Sequence, residues 1–297
     1  MTIQSRHPEA DRTALVTGAS SGLGKAVAQA LAAAGVRVLL LARDRARGEA
    51  AQTELIEATG NRNVELLLAD LASQADIRRL AAEVHARTDR LHYLVNNAGT
   101  AFRERGLTVD GIERTLAVNH LAPFLLTNLL LDLLQAAAPA RVVNVGTRID
   151  TAMDFDDLNW ERRPYRMMPA YGQSKLGNIH FTRELARRLD GSGVTVNCVF
   201  PGVFRSNLGG TDGAQGLFWK SVALLLGWAL TPPEKAAQRV LYLLTSPEMA
   251  GVSGEYFGDR KPIAVPAQAS DPDANLRLWR ISAAMMDLGA GPFAVEP

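Results

Sequence analysis

A chain of 297 residues, 47% apolar and 21% charged, can bury one large core or two smaller ones and is neither disordered nor fibrous. Its 32 basic and 31 acidic residues leave a net charge of +1, so it lacks the basic footprint of a nucleic-acid binder and the polybasic tract that an anionic membrane attracts. The lone cysteine, Cys198, excludes an internal disulfide and a thiolate-rich metal site, and the five histidines show no metal-ligand spacing. Residues 1–11 are polar, with no apolar core for a signal peptide or membrane anchor; they read as a tail, and a reducing cytoplasm is the expected compartment. Strands are then predicted at 13–17, 36–41, 64–68, 91–96, 141–145 and 194–199, with an Ala-rich helix at 23–34 and further helices between the later strands. Beyond Pro201 comes an apolar stretch around 217–230, broken by Lys220 and shorter than the ~20 residues that cross a bilayer. Thr231-Pro-Pro-Glu234 opens a helix to about 245, a short strand follows near 255–257, and a last helix is expected over 274–288. Apolar strands alternating with helices imply right-handed crossovers and a parallel sheet covered on both faces. The expectation is therefore α/β: one doubly wound Rossmann-type domain over 12–258, with 259–297 as a C-terminal extension packed on it. Ligands of such sheets sit beyond the carboxyl ends of the strands.

Between the first strand and the first helix stands Thr17-Gly-Ala-Ser-Ser-Gly-Leu-Gly24. Its glycines permit a tight turn and let backbone approach a pyrophosphate, whose charge then faces the free N–H groups of the helix. A glycine-rich loop with no ligand is the plain alternative. Gly18-Ala-Ser20-Ser-Gly22 also satisfies the nucleophile elbow of a serine hydrolase, but no downstream histidine stands in a recognisable acid-histidine context.

Taken together, several motifs in order resemble the short-chain dehydrogenase/reductase family. Thr17 to Gly24 is similar to that family's cofactor turn, and Asp70-Leu71 after the third strand to its adenine contact. Asn96-Asn97-Ala98-Gly99, Asn119, the pair Tyr171 and Lys175, and Pro201-Gly202 with Ser206 follow in the family's order. Asp110-Gly-Ile-Glu113, Val118-Asn-His-Leu-Ala-Pro-Phe124, Ser174-Lys-Leu-Gly-Asn178 and Gly251-Val-Ser-Gly-Glu-Tyr256 resemble its retinol-dehydrogenase-like branch. The likeness implies an oxidoreductase with cofactor contacts at Gly18, Ser20, Ser21, Gly22, Leu23, Gly24, Arg43, Asp70, Leu71, Asn97, Ala98, Gly99, Tyr171, Lys175, Pro201, Gly202, Val203 and Ser206.

A dinucleotide fold usually places a carboxylate on the ribose 2′-OH about 20 residues past the glycines, and arginine on a 2′-phosphate. The second strand ends Leu40-Leu-Ala42-Arg43, which points to NADP(H), with Lys25 as a second cation; the alternative is a solvated Arg43 paired with Asp44 or a neighbouring helix. Tyr171 and Lys175, four apart, share a helix face, and an ammonium near a phenol is expected to lower its pKa. The resemblance makes Tyr171 the proton donor to a carbonyl oxygen, Lys175 the holder of the ribose hydroxyls and Asn119 the start of a proton path. An isolated pair at this spacing would be an ordinary surface pair, and Asn119 an amide satisfying local backbone. After the fifth strand the family reads Asn-Val-Ser-Ser; this chain reads Asn144-Val-Gly-Thr147. Thr147 keeps a hydroxyl where the family orients the carbonyl, with an added methyl that restricts its rotamer.

Segments 100–110, 148–169 and 203–230 fall at the carboxyl edge and carry Phe102, Phe155, Trp160, Met167, Met168, Phe204, Phe218, Trp219 and Trp228. They suit a bulky apolar or aromatic ketone or aldehyde, with 203–230 as a substrate lid; ordinary core packing is the competing account. No nucleic acid and no metal are expected, a membrane surface is disfavoured, and a homodimer through helices around 108–135 and 168–190 follows from the resemblance. A dinucleotide-binding regulator without turnover, and a hydrolase using Ser20, stand as alternatives.

Overall fold

The computed structural model describes residues 9–148, 151–202 and 231–288. Strand β1 (Thr13–Thr17) is buried along its whole length, as its unbroken small and β-branched run requires of a strand covered on both faces. It is followed by α1 (Gly22–Ala33), β2 (Arg37–Ala42), α2 (Arg45–Thr59), β3 (Val64–Leu68), α3 (Gln74–Arg87) and β4 (Tyr93–Asn96). The expected strand at 91–96 starts late because the Leu91 N–H bonds the Leu133 carbonyl, away from the sheet. Next come α4 (Arg114–Leu116), a π-helical turn (Ala117–Leu121), α5 (Ala122–Leu129), α6 (Leu131–Ala136), β5 (Ala140–Val145), α7 (Met167–Arg188) and β6 (Val194–Val199). Past the undescribed 203–230 stretch lie α8 (Pro233–Thr245), β7 (Tyr256–Phe257), α9 (Ala267–Ser270) and α10 (Pro272–Met285).

The seven strands are all parallel, in the order β3-β2-β1-β4-β5-β6-β7. Chain direction across the sheet reverses between β1 and β4, which opens a crevice at their carboxyl ends. Alternation along the strands sorts the core into two layers. Leu15, Leu39 and Leu94 face α3, α5, α7 and α10, whereas Val16, Leu40 and Val95 face α1, α2 and α8. The molecule is thus a single α/β domain, and the C-terminal helix belongs to it: Trp279 stacks on Phe181 at 5.9 Å and meets Phe124 edge-on at 4.8 Å.

Helix α10 begins before its expected start at 274. Asp271 accepts a bond from the Asp273 N–H at 2.9 Å and Pro272 takes the first turn, a start signal present in the sequence. The helix is fastened by buried polar contacts as well as rings. His120 Nε2 pairs with the Ser282 hydroxyl at 2.8 Å, and His180 Nδ1 with the Asn275 side-chain oxygen at 2.7 Å. Among the described residues no helix is long and apolar enough to cross a membrane.

Candidate active site

At the carboxyl end of β1, a single hydroxyl ties two strands together. Thr17 Oγ1 donates to the Val95 carbonyl at 3.2 Å and accepts the N–H groups of Asn97 at 2.9 Å and Ala98 at 3.0 Å. The Asn97 side chain donates back to the Thr17 carbonyl at 2.8 Å and to that of Gly18 at 3.3 Å. Gly18 and Gly22 have φ of 65° and 55°, in the left-handed region that glycine enters without cost. Gly24 is required for another reason: a Cβ there would overlap the Asn97 amide and stand 2.5 Å from the Gly18 carbonyl oxygen.

The Gly24→Ala variant should therefore lose about 1–3 kcal/mol of stability and open the turn, because backbone must move to admit the methyl. Thermal unfolding and a titration with NADPH check this; unchanged melting and unchanged affinity would contradict it.

The turn fits a dinucleotide phosphate. Ser21, the N-cap of α1, makes no side-chain capping bond, the first turn holds no acidic residue, and a Cβ on Gly22 would meet nothing within 4 Å. Ser20, Ser21 and Gly22 are half-buried around these free N–H groups, with Leu23 buried behind them. At the other end, Arg43 is exposed and forms no hydrogen bond or ion pair among the described residues. Asp44 does not pair with it but caps α2 by accepting from the Arg47 N–H at 2.8 Å. Lys25, expected to join Arg43, is instead paired with Glu54 on α2, so that expectation is corrected. Asp70 accepts from the Ala72 N–H at 2.9 Å and shapes the turn after β3, with Leu71 packed on the core. Gly202 has φ 95° and the Pro201 carbonyl accepts from Arg239 at 3.0 Å. Val203, Ser206 and the lid 203–230 lie outside the described residues.

The other half of the site converges on the end of β5. Tyr171 and Lys175 stand one turn apart on α7. The Lys175 ammonium is buried and donates to the Val145 carbonyl at 2.9 Å; a Cβ on Gly99 would lie 3.1 Å from it. Thr147, two residues past β5, acts on the Tyr171 phenol by drawing its pKa down. Asn119 sits in the π-helical turn, where the missing N–H of Pro123 prevents an ordinary closure on the Asn119 carbonyl. Its side chain accepts from the Thr100 N–H at 2.7 Å and donates to the Thr100 carbonyl at 2.8 Å and to Ser174 Oγ at 2.9 Å. Asn119 thus fastens the loop after β4 to α7, a local duty the sequence reading left open. Asn96 braces the sheet, donating to Asn144 at 2.8 Å and Thr127 at 3.0 Å.

One electrostatic expectation is corrected. Burial pushes the Tyr171 phenol up to about 12, opposed by Thr147, and Lys175 is not among the groups acting on it. Burial likewise lowers Lys175 to about 8. Lys175 donates to the Val145 carbonyl, and desolvation is the dominant influence on the phenol, which stays protonated at neutral pH.

Of the expected apolar lining, Phe155 packs edge-on against His180 at 5.8 Å, and Trp160 lies beneath the Arg163 guanidinium at 3.8 Å. Both serve packing. Phe102 is half-buried under Arg114, Met168 is exposed, and Phe204, Phe218, Trp219 and Trp228 fall outside the described residues. The sequence reading missed how the segment before α7 is held. Arg163 donates to Gln173 on α7 at 2.6 Å and pairs with Asp154 and Asp157, while the Tyr165 hydroxyl meets Glu113 at 3.2 Å. Glu113, inside a quoted motif, was the available signal. Among the described residues no His, Cys, Asp or Glu group is placed to hold a metal.

Comparison with known proteins places this geometry. The family model for short chain dehydrogenases matches residues 12–215. Retinol dehydrogenase 13 of Homo sapiens is 43% identical over 290 residues, covering 96% of this chain and 88% of the human protein. Among solved structures, an uncharacterized protein from Mycobacterium paratuberculosis superposes with a TM-score of 0.75 at 31% identity, covering 94% of each chain. The RhlG/NADP active-site complex of Pseudomonas aeruginosa superposes at 0.65 with 33% identity, covering 84% of this chain and 94% of that one.

Proposed function

The chain belongs to the short-chain dehydrogenase family and is retinol-dehydrogenase-like, and from that premise we propose an NADP-dependent reductase of bulky apolar or aromatic ketones and aldehydes, working also in reverse. Bound NADPH would supply the hydride to the carbonyl carbon. The chain's own residues do the rest. Gly18, Ser20, Ser21, Gly22, Leu23 and Gly24 would receive the pyrophosphate, Asp70 and Leu71 the adenine end, and Asn97, Ala98 and Gly99 would supply further contacts. Pro201 and Gly202 would hold the nicotinamide side, together with Val203 and Ser206 by the family resemblance. Tyr171, protonated because it is buried, gives its proton to the substrate oxygen while Thr147 holds that oxygen by a hydrogen bond. Lys175 takes the ribose hydroxyls, and Asn119 fixes the loop at Thr100 against α7.

The observation that carries the reading is Tyr171 and Lys175 one turn apart on α7, with Lys175 bonded to the end of β5, beside an uncapped helix start that suits a phosphate. Retinaldehyde and aromatic ketones form the test panel, since the human relative is called a retinol dehydrogenase. NADPH oxidation with one of them supports the reading; tight NADPH binding with none turned over favours a regulator.

The choice of NADP rests on Arg43, exposed just past β2 and without a partner among the described residues, next to Ala42 where a carboxylate would select NAD. A charge-assisted hydrogen bond contributes about 1.5–3 kcal/mol, so Arg43→Ala should lower the preference for NADP over NAD by roughly 10–100-fold. Affinities for both dinucleotides in wild type and variant decide it, and an unchanged ratio would remove Arg43 from the phosphate site.

A further inference from the structure

The turn after β5 carries the reacting groups on a short and soft piece of backbone. Val145 offers its carbonyl to Lys175 at 2.9 Å, Gly146 donates its N–H to the Val199 carbonyl at 2.8 Å, and Thr147 is the side chain that draws the Tyr171 phenol down. Gly146 takes no side chain because a Cβ there would stand 2.7 Å from the Cys198 sulfur and 3.6 Å from the Tyr256 ring. That accounts for the glycine where the resemblance expects serine. It also leaves the peptide before Thr147 with glycine's freedom, so something else must set the direction of the Thr147 hydroxyl.

Tyr256 is placed to do so. It lies on β7, paired with Cys198 of β6, and its side chain crosses toward the end of β5. There its phenol donates to the Thr147 carbonyl at 2.9 Å. We propose that Tyr256 is a positioning residue for the reaction: by holding the Thr147 carbonyl it fixes the rotamer that presents the Thr147 hydroxyl to Tyr171. Threonine makes such a clamp consequential, since a different χ1 exchanges hydroxyl for methyl. Burial raises the Tyr256 phenol well above its ordinary range, with Cys198 adding to the rise and Arg148 opposing it, so the donor keeps its proton across the working pH. The inference rests on the roles given above to Tyr171 and Thr147.

Tyr256→Phe keeps the ring and removes the donor. For ketone reduction, kcat should fall about 10–100-fold while KM and NADPH affinity stay within about twofold and the pH profile keeps its shape. In a Thr147→Val background the same change should cost less than about twofold, because the hydroxyl it serves is gone. Losses that simply add in the double variant would overturn the proposal, as would an unchanged kcat. A second reading needs no turnover: three-bond couplings to the Thr147 methyl should report one χ1 rotamer in the wild type and averaging in Tyr256→Phe. Identical couplings in both would also overturn it. If the wild-type protein reduces no carbonyl at all, the reaction proposed above fails, while the couplings still decide whether Tyr256 holds Thr147.

Discussion

Tyr171→Phe should fold, bind NADPH as the wild type does, and turn over carbonyl substrates about 1,000-fold more slowly, since a positioned proton donor contributes roughly 10²–10⁴. The change removes one oxygen from a ring that is otherwise packed, so it separates proton transfer from binding. The phenol is stored as the acid: burial holds it near 12 and Lys175 does not act on it. Reduction and oxidation pass through one transition state, so kcat/KM should fall by the same factor in both directions. Single-turnover oxidation of NADPH and a fluorescence titration of cofactor measure the two quantities separately. Rates within about tenfold of wild type would reassign the donor.

Acid should unfold this protein earlier than carboxylates alone would. His120 and His180 are buried, and both are lowered to about 4, chiefly by desolvation. Asn178 and Ser282 face His120, with His180 as a neighbouring cation when charged; Asn275, Asp271 and Arg183 face His180. In the unfolded chain each takes a proton near 6.5, so below that pH the unfolded state binds more protons than the native one. Their contribution is intact above 6.5 and is lost progressively as the pH falls toward 4, on the order of 3 kcal/mol for each histidine. Denaturant midpoints at neutral and mildly acid pH, compared between wild type and a His120→Gln, His180→Gln pair, test this. The variant should lose markedly less stability on acidification; parallel curves would place the acid sensitivity elsewhere. Because both rings contact α10, hydrogen exchange should rise first in residues 272–285.

How much of this could be read in advance depended on whether the determinant was local. Strand β1 lies where its apolar run ends, because a strand buried on both faces announces its own length, and β3 and β6 keep the bounds that their β-branched and leucine-rich runs suggest. The glycine turn was legible for the same reason: each glycine answers to a steric need within a few residues or to the strand beside it. The breaks in the helical stretch between β4 and β5 were not legible, since the π-helical turn comes from Pro123 acting on the turn before it. The state of the phenol was hidden too. Spacing places Lys175 beside Tyr171, but whether the ammonium meets the phenol or the Val145 carbonyl is settled by distant strands. Whether Phe155 and Trp160 line a cavity or pack stayed open, because composition cannot tell a ring facing a cavity from one facing His180 or Arg163.

The Thr17 lacing to Asn97 and Ala98 uses nothing beyond residue 100, whereas Tyr256, Asn275 and Ser282 complete the other half. Clipping the C-terminal helix would therefore loosen α7 and the π-helical turn, which carry Tyr171 and Asn119, before it disturbed the strand crossing at Thr17.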